Sequence, residues 1–384
     1  MSVEVNNNLG VDYFKKISDL ASELGLAALG VTNTEPFTET RAEIERRKEK
    51  ELHGGMQFTF RNPERSTTPK MIMSDAKSLI VGALRTPAPR LEKVNTEALR
   101  IAAYARKDYY SLLRDALNVI AEILKKDGWK AQVVADENSL VDRAAAIRAG
   151  IGWHGKNGNV LIPGQGSWFV LGSIVTNVEL PLSEKVQQDC GVCKRCVDAC
   201  PTGAIIEPGV VDARKCIAWL VQAPGIIPHE YRESIEHRIY GCDDCQEVCP
   251  EGREERNFEE DLDIKADYLA VEILEAEDQE LLERFSSWYI AERNPRYLKR
   301  NALVSIGNSK ETENELFKSL LMKYLRNSDP LLRSHAAWAS IRLGHKDLVD
   351  LAKNDSDPLV LKEIMLAEVE GSPYLLDKQY IGYP

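Results

Sequence analysis

Residues 190–201 read CGVCKRCVDACP, and residues 242–250 read CDDCQEVCP. The first stretch has the spacing C-x2-C-x2-C-x3-C-P, at which cysteine thiolates hold iron-sulfur clusters. The second stretch repeats the end of that pattern, and Cys216, 25 intervening residues before Cys242, supplies its remaining cysteine. All eight cysteines of the 384-residue chain fall in this window. The spacing therefore predicts a domain with two 4Fe-4S clusters, which we place at residues 181–255.

The fourth cysteine of each run binds the other cluster in two-cluster domains of this ferredoxin-like kind. The predicted ligand sets are Cys190, Cys193, Cys196 and Cys249 for one cluster, and Cys200, Cys216, Cys242 and Cys245 for the other. A pair of four-cysteine zinc sites is the alternative, but zinc sites do not need three cysteines spaced two apart and followed by x3-C-P. Two linked clusters indicate a path for electrons toward another acceptor.

Composition and charge limit the class of protein. The chain is 43% hydrophobic and 28% charged, as in ordinary globular proteins. Its net charge of -11 argues against a generally basic nucleic-acid binder. Residues 251–284, however, hold fourteen acidic and only four basic residues, so the rest is nearly neutral and can carry a local positive patch. No long apolar run or secretory signal is evident, so we expect a cytoplasmic protein with no membrane segment.

The first 180 residues alternate strand-like and helical patterns. Strands are predicted at residues 27–33, 78–84, 131–136, 159–163 and 168–177, and helices at residues 11–24, 108–126 and 139–149. This alternation predicts a layered domain of the α/β (α+β) class over residues 1–180.

Two features of that domain are candidates for chemistry. Residues 149–159, AGIGWHGKNGN, contain four glycines, which let a backbone approach a ligand closely or simply make a tight connection. No phosphate-binding motif is present there. Asp136 ends a predicted strand just before a helix. It could cap that helix, which is the role that the residues alone favour. Alternatively, an apolar cofactor could raise the pKa of its carboxyl group, which could then donate a proton.

The last third of the chain contains a repeat. Residues 294–307, NPRYLKRNALVSIG, and residues 329–344, DPLLRSHAAWASIRLG, are offset by 35 residues. This pattern predicts α-helical HEAT-like repeats over residues 291–384. The acidic segment before them, residues 256–290, is interpreted as a solvated connector with helical patches such as Leu269 to Leu282. Basic residues near the predicted helix starts are either phosphate contacts or a solvated face. They are Arg296, Lys299, Arg300 and Arg333.

Four stretches together carry a resemblance to a known family: residues 135–157 (ADENSLVDRAAAIRAGIGWHGKN), residues 191–205 (GVCKRCVDACPTGAI), residues 241–250 (GCDDCQEVCP) and the repeat tail. Over about residues 10 to 370, the chain resembles the epoxyqueuosine reductases, which make the tRNA wobble base queuosine and are related to reductive dehalogenases. The resemblance implies a cytoplasmic oxidoreductase whose first domain binds cobalamin. Electrons from an external donor would pass through the two clusters to cobalamin, which would reduce an epoxide to an alkene with loss of water.

The resemblance also implies roles for single residues. Asp136 matches the family's proton donor, which overturns the preference for a capping role. Lys156 and Asn157 match the segment that lines cobalamin, and Gln222 and Asp243 are weaker candidates for the same face. The basic repeat surface would bind the anticodon stem-loop of tRNA, with the base splayed out into the pocket. Two alternatives remain: a cobalamin-dependent reductive dehalogenase acting on a small molecule, and a non-catalytic electron-transfer subunit.

Overall fold

A computed structural model of the chain describes residues 7–87, 98–252 and 267–369. Its helices are α1 (Asn7–Glu23), α2 (Thr38–Glu49), α3 (Pro63–Ser66), α4 (Tyr109–Lys126), α5 (Asp142–Arg148), α6 (Arg195–Asp198), α7 (Ile217–Leu220), α8 (His229–Ile235), α9 (Asp244–Glu247), α10 (Ala270–Glu275), α11 (Asp278–Arg284), α12 (Arg296–Asn308), α13 (Glu315–Leu325), α14 (Pro330–Arg342), α15 (Lys346–Ala352) and α16 (Pro358–Val369). Its strands are β1 (Leu26–Asn33), β2 (Ser78–Arg85), β3 (Ala98–Ile101), β4 (Ala131–Ala135), β5 (Trp153–His154), β6 (Val160–Leu161), β7 (Phe169–Thr176), β8 (Ile205–Glu207), β9 (Val210–Val211), β10 (Arg238–Tyr240) and β11 (Asp267–Leu269). None of the described helices is long and apolar enough to cross a membrane.

Two compact units divide the chain, and each is built from separated segments. The first unit comprises Met1–Arg90, Arg106–Cys216 and Asp243–Asp261; the second comprises Leu91–Ala105, Ile217–Cys242 and Leu262–Pro384. The sequence predicts consecutive domains instead. The division falls inside the predicted ferredoxin-like domain, because the segment between Cys216 and Cys242 packs with the C-terminal helices.

The first unit is built on a four-stranded sheet with the order β1-β2-β7-β4. All three neighbouring strand pairs are antiparallel, and Ser78 of β2 lies opposite both Asn33 of β1 and Thr176 of β7. Helix α4 packs on one face of the sheet and α5 packs on the other. The predicted layering of helices on a sheet is confirmed, and the antiparallel pairing makes this unit α+β.

Helix α4 shows why the sequence pattern predicts these elements well. Its apolar residues Leu113, Leu117 and Ile120 recur at helical spacing, and all three are fully buried. The Asp108 side chain accepts a hydrogen bond from the Ser111 N–H at 2.9 Å and thereby caps the helix. Both the start and the buried face of α4 are therefore local properties of the sequence.

The second unit combines a three-stranded sheet, β10-β3-β11, with two rows of helices. Helices α12, α14 and α16 pack side by side in one row, and α13 and α15 pack against α14 to form a second row. The two similar sequence segments form α12 and α14, which are equivalent members of the same row. This arrangement supports a repeat architecture, while its assignment to the HEAT-like class stays a prediction.

The predicted acidic connector is in part a folded element of the second unit. Strand β11 pairs with β3, and α10 packs against α12. Ile273, Leu281 and Phe285 are buried in the same core as the helix rows. The helical patch predicted from Leu269 to Leu282 contains α10 and most of α11. Ile273, Leu281 and Phe285 are not solvated, because these apolar side chains complete that core. The preceding part of the acidic segment, residues 253–266, lies outside the described residues.

Candidate metal centre and catalytic loop

Four cysteines from two separate stretches of the sequence converge on one cavity. Cys190 and Cys193 lie on the loop that leads into α6, Cys196 lies in α6, and Cys249 follows α9. All four line one cavity, and none forms a disulfide. Burial, followed by the neighbouring Cys190 and Cys249 thiols, raises the pKa of the Cys196 thiol. The structure thus brings together the first predicted ligand set.

A loop of the first unit holds Cys249 in that place. The Ser167 hydroxyl donates a hydrogen bond to Gln246 Oε1 at 2.9 Å, and the Gly164 N–H donates to Glu251 Oε1 at 2.6 Å. These bonds fix the chain on both sides of Cys249. The sequence alone did not predict that residues 162–167 support the metal centre. No local sequence pattern indicates this role, because their hydrogen-bond partners lie about eighty residues away in the chain.

The cavity suits a cluster better than a single zinc ion. Zinc–thiolate bonds of about 2.3 Å would bring four sulfurs within about 4 Å of one another. Within the described ranges, no three His, Cys, Asp or Glu side chains are grouped closely enough to hold one metal ion. Four thiols around a shared cavity are the ligands that a 4Fe-4S cluster requires.

The second predicted ligand set is divided between the two units. Cys200, Cys216 and Cys245 belong to the first unit, and Cys242 belongs to the second. The Ala204 N–H donates a hydrogen bond to Cys200 Sγ at 3.2 Å. Such N–H bonds to a ligand sulfur are one means by which proteins set the potential of a cluster.

Lys156 and Asn157, which the resemblance places beside cobalamin, lie on the wall of the first cysteine cavity. The Lys156 ammonium donates hydrogen bonds to the carbonyl oxygens of Gly191 and Cys193, at 2.6 and 2.9 Å. Asn157 is buried, and its Oδ1 accepts a hydrogen bond from the Asn159 N–H at 3.1 Å. The Lys156 side chain is therefore directed at the cysteine loop.

The glycine-rich segment forms a tight hairpin between β5 and β6, which pair antiparallel. Gly152 is needed there, because a Cβ atom at this position would lie 2.1 Å from the Leu161 carbonyl oxygen. The indole N–H of Trp153 is buried and has no hydrogen-bond partner among the described residues. A buried donor without a partner can serve a bound ligand.

Asp136 occupies a strained position directly after β4. Its φ of 57° lies in the left-handed region, which a residue with a Cβ atom rarely adopts. The side chain is exposed at the surface. Desolvation by the surrounding protein raises the pKa of the Asp136 carboxyl group, Arg114 opposes this shift, and the carboxylates of Asp108 and Glu137 add to it. Among the described residues, no side chain caps helix α5, which argues against the capping role.

Asp142, at the start of α5, is a second carboxyl group of this region and was not predicted. Burial raises the pKa of the Asp142 carboxyl group well above its ordinary value, and the charge of Asp136 adds to the effect. The two carboxyl groups therefore influence each other. Sequence reasoning had only one signal for Asp142, its position after a loop that carries other acidic residues.

Comparison with known proteins identifies the family. The profile of the 4Fe-4S double cluster binding domain matches residues 189–252. The epoxyqueuosine reductase of Bacillus anthracis is 33% identical over 333 residues, which cover 84% of this chain and 86% of that protein. The chain belongs to the epoxyqueuosine reductase family. It is therefore an oxidoreductase, as the sequence resemblance predicts.

Crystal structures of epoxyqueuosine reductases have the same fold. One, with a tRNA-Tyr epoxyqueuosine-modified stem loop, has a TM-score of 0.83 and 27% identity, and the match covers 94% of this chain and all of the other. Another, from Bacillus subtilis, has an aspartate-bearing catalytic loop swung out of the active site. Its TM-score is 0.82 at 26% identity, with 93% and 99% of the two chains covered.

Gln222 and Asp243 belong to separate hydrogen-bond networks. Gln222, in the second unit, donates to the Tyr104 hydroxyl at 3.1 Å and to the Ala218 carbonyl oxygen at 2.9 Å. Asp243, in the first unit, is buried and accepts a hydrogen bond from Gln246 Nε2 at 3.1 Å. Their predicted contact with cobalamin stays a prediction.

Arg300 is not a surface residue, which corrects its predicted contact with tRNA. Its side chain is fully buried, and burial lowers the pKa of its guanidinium to about 9. The guanidinium donates hydrogen bonds to the carbonyl oxygens of Ala223, Leu220 and Val221, at 2.8, 3.2 and 3.3 Å. The carbonyl oxygen of Gly225 is a further acceptor. Arg300 therefore fixes residues 220–225, the loop that carries Gln222.

The other three predicted tRNA contacts have acidic partners within the chain. Lys299 Nζ lies 2.7 Å from Asp278 Oδ1, and Arg333 Nε lies 2.7 Å from Asp355 Oδ2. Arg296 pairs more loosely with Asp329, at 3.6 Å, and a third of its side chain is exposed. Among the four residues of the prediction, Arg296 is thus the most accessible to a phosphate group.

Proposed function

We propose that this chain reduces the epoxide of epoxyqueuosine in tRNA to the alkene of queuosine. The reaction consumes two electrons and two protons, breaks both carbon–oxygen bonds of the epoxide and releases water. The observation that carries the proposal is the cavity in which Cys190, Cys193, Cys196 and Cys249 converge, in a chain of the epoxyqueuosine reductase family.

Two 4Fe-4S clusters, when bound, would carry electrons from an external donor. Cys190, Cys193, Cys196 and Cys249 hold one cluster, and Cys200, Cys216, Cys242 and Cys245 hold the other. The shared cavity of the first four thiols supports the exchange of the fourth ligand between the runs. The description of the matching profile as a double cluster binding domain supports the count of two.

We assign cobalamin as the group that would receive these electrons within the chain. When bound, it supplies a low-valent cobalt centre that can deliver electrons to an epoxide carbon. Lys156, Asn157, Gln222 and Asp243 are the residues assigned to hold it. The unpartnered, buried indole N–H of Trp153 fits a bound group that accepts a hydrogen bond, and the hairpin that carries it leads directly to Lys156.

Asp136 supplies a proton to the substrate oxygen. Because its pKa is raised, the carboxyl group keeps its proton to a higher pH than a free aspartic acid does. In its protonated form, the side chain can donate that proton to the epoxide oxygen while a carbon–oxygen bond breaks. The strained, exposed position after β4 supports this role, since such strain is typical of functional residues.

The partner is the anticodon stem-loop of a queuosine-type tRNA. Its unpaired bases can stack on exposed aromatic side chains, and its phosphates can bind basic ones. In the second unit, Tyr289 is 56% exposed and stacks on the buried Trp219 with a ring-centroid distance of 6.4 Å. Tyr289 and Arg296 are therefore the side chains we assign to tRNA contact.

The test is turnover of tRNA that contains epoxyqueuosine by anaerobic protein reconstituted with iron, sulfide and cobalamin. Nucleoside mass spectrometry should show loss of one oxygen atom, with about eight irons per chain in the active protein. The matched control is Asp136→Asn, which keeps the shape of the side chain. It should retain both clusters and tRNA binding and lose about 100-fold to 10,000-fold in rate.

Two results would overturn the proposal. Reduction of a halogenated small molecule without any turnover of the tRNA would indicate a reductive dehalogenase. Full loading with iron, together with no binding of cobalamin and no turnover, would indicate an electron-transfer subunit. An Asp136→Asn variant with the wild-type rate would remove only the assignment of the proton donor.

A further inference from the structure

Lys156 lies where its charge can act on an iron-sulfur cluster. Its ammonium is held at 2.6 and 2.9 Å from the carbonyl oxygens of Gly191 and Cys193, and the side chain lines the cavity of four thiols. These two carbonyl groups belong to the loop that carries Cys190 and Cys193. The position of the ammonium relative to that loop is therefore fixed by two hydrogen bonds.

Among the described residues, no acidic side chain pairs with this ammonium. Within residues 7–87, 98–252 and 267–369, Lys156 forms no ion pair, and both of its hydrogen bonds go to neutral carbonyl groups. The four thiolates give the occupied site a net negative charge, and reduction adds one more negative charge. A nearby cation stabilises the reduced form more than the oxidised form, and net charge is one of the factors that set cluster potentials.

We propose that Lys156 is a positioning residue that raises the reduction potential of the cluster held by Cys190, Cys193, Cys196 and Cys249. The ammonium holds the cysteine loop through its two carbonyl contacts, and its charge, which has no acidic partner among the described residues, favours the reduced cluster. This inference rests on the cluster assignment in the proposed function and goes beyond it, because it names a residue that sets the potential of one cluster of the pair.

Other cations near the cavity have weaker effects for a physical reason. Arg195 also lines the cavity but is exposed, so water and salt screen its charge. Lys194 is largely exposed and lies 3.8 Å from Asp198, its acidic partner. Lys156 is more shielded than either, and its contacts keep it in one place.

The experiment is a redox titration of the reconstituted full chain, followed by electron paramagnetic resonance. Lys156→Gln and Lys156→Met remove the charge, and both should shift the midpoint potential of one cluster to a more negative value. Lys156→Arg keeps the charge and should leave that potential close to wild type. The second cluster is an internal control, and its potential should change less in every variant.

Three further variants make the result decisive. Arg195→Gln should give a smaller shift than Lys156→Gln, and Lys77→Gln, which removes an exposed lysine paired with Glu179, should give none. Asn157→Asp adds a negative charge on the cavity wall while leaving both bonds of Lys156 in place. It should lower the same potential, and it serves as the readout if the neutral Lys156 variants fail to assemble the cluster.

Equal midpoint potentials in the wild type, Lys156→Gln and Lys156→Met would overturn the inference. So would loss of the cluster from both neutral variants together with an unchanged potential in Asn157→Asp. Turnover of epoxyqueuosine is measured separately on the wild type. Failure of turnover with the predicted shifts refutes the proposed reaction, whereas turnover without the shifts refutes only the role of Lys156.

Discussion

Replacing Arg300 by lysine separates a structural role from a role in tRNA binding. Arg300→Lys keeps a positive charge at the position, so a residue that simply contacted phosphate would tolerate it. The structure predicts the opposite. The guanidinium reaches four carbonyl groups of residues 220–225 and the Asn301 side chain, and a single ammonium cannot span them.

The magnitude follows from the bonds that are lost. A lysine has three N–H donors at one point, whereas arginine has five in a planar fork. We expect at least two buried hydrogen bonds from the charged group to be lost, at about 1.5 to 3 kcal/mol each. The charge remains buried, so its desolvation cost is not relieved. The free energy of unfolding of the second unit should therefore fall by about 3 kcal/mol or more.

The assay is urea unfolding followed by tryptophan fluorescence, alongside tRNA binding at several salt concentrations. Lys353→Arg is the matched control, because Lys353 is half exposed and pairs with Asp350 on the surface; its effect should stay below about 1 kcal/mol. The folded fraction of Arg300→Lys should bind tRNA with an unchanged salt dependence. In Arg296→Gln, by contrast, the slope of log Kd against log salt should fall by about 0.7 to 0.9. Wild-type stability in Arg300→Lys, together with a reduced slope, would refute this reasoning.

Three other predictions concern the acid, a cluster ligand and a buried ion pair. Turnover should fall as the pH rises through the raised pKa of Asp136, because only the protonated carboxyl group can donate a proton. Asp136→Asn should abolish this decrease in rate at higher pH. Cys249→Ser should alter the paramagnetic signal of the cluster that the first cysteine run holds and leave the other signal in place. Glu363→Gln should lower the free energy of unfolding by about 3 to 5 kcal/mol, because it leaves the buried Arg232 without its partner. The control, Glu179→Gln on the surface, should lower it by less than about 1 kcal/mol.

Each of these predictions has a clear contrary result. An identical pH profile in the wild type and Asp136→Asn would show that another group limits the rate. Loss of the other cluster's signal in Cys249→Ser would show that the fourth cysteine does not cross between the runs. Equal stabilities of the two glutamate variants would show that the pair formed by Arg232 and Glu363 is not effectively buried.

The sequence by itself determined the features that depend on local spacing. The interval between cysteines sets which thiols can bind one cluster, so the first ligand set could be predicted without the fold, and the structure places its members on one cavity. Helix α4 was predictable because its buried residues and its cap at Asp108 follow one another along the chain. The order of strands in the sheet was not, since strand pairing joins residues far apart in the sequence.

Only the tertiary structure decided which charged residues are accessible. Arg296 and Arg300 are four positions apart on α12, so helical periodicity places them on the same side. The loop at residues 220–225 nevertheless covers Arg300, and Arg296 remains partly exposed. Likewise, Lys156 meets the cysteine loop across more than thirty residues of chain. Such contacts depend on how distant segments pack, and this information is not contained in any local pattern of residues.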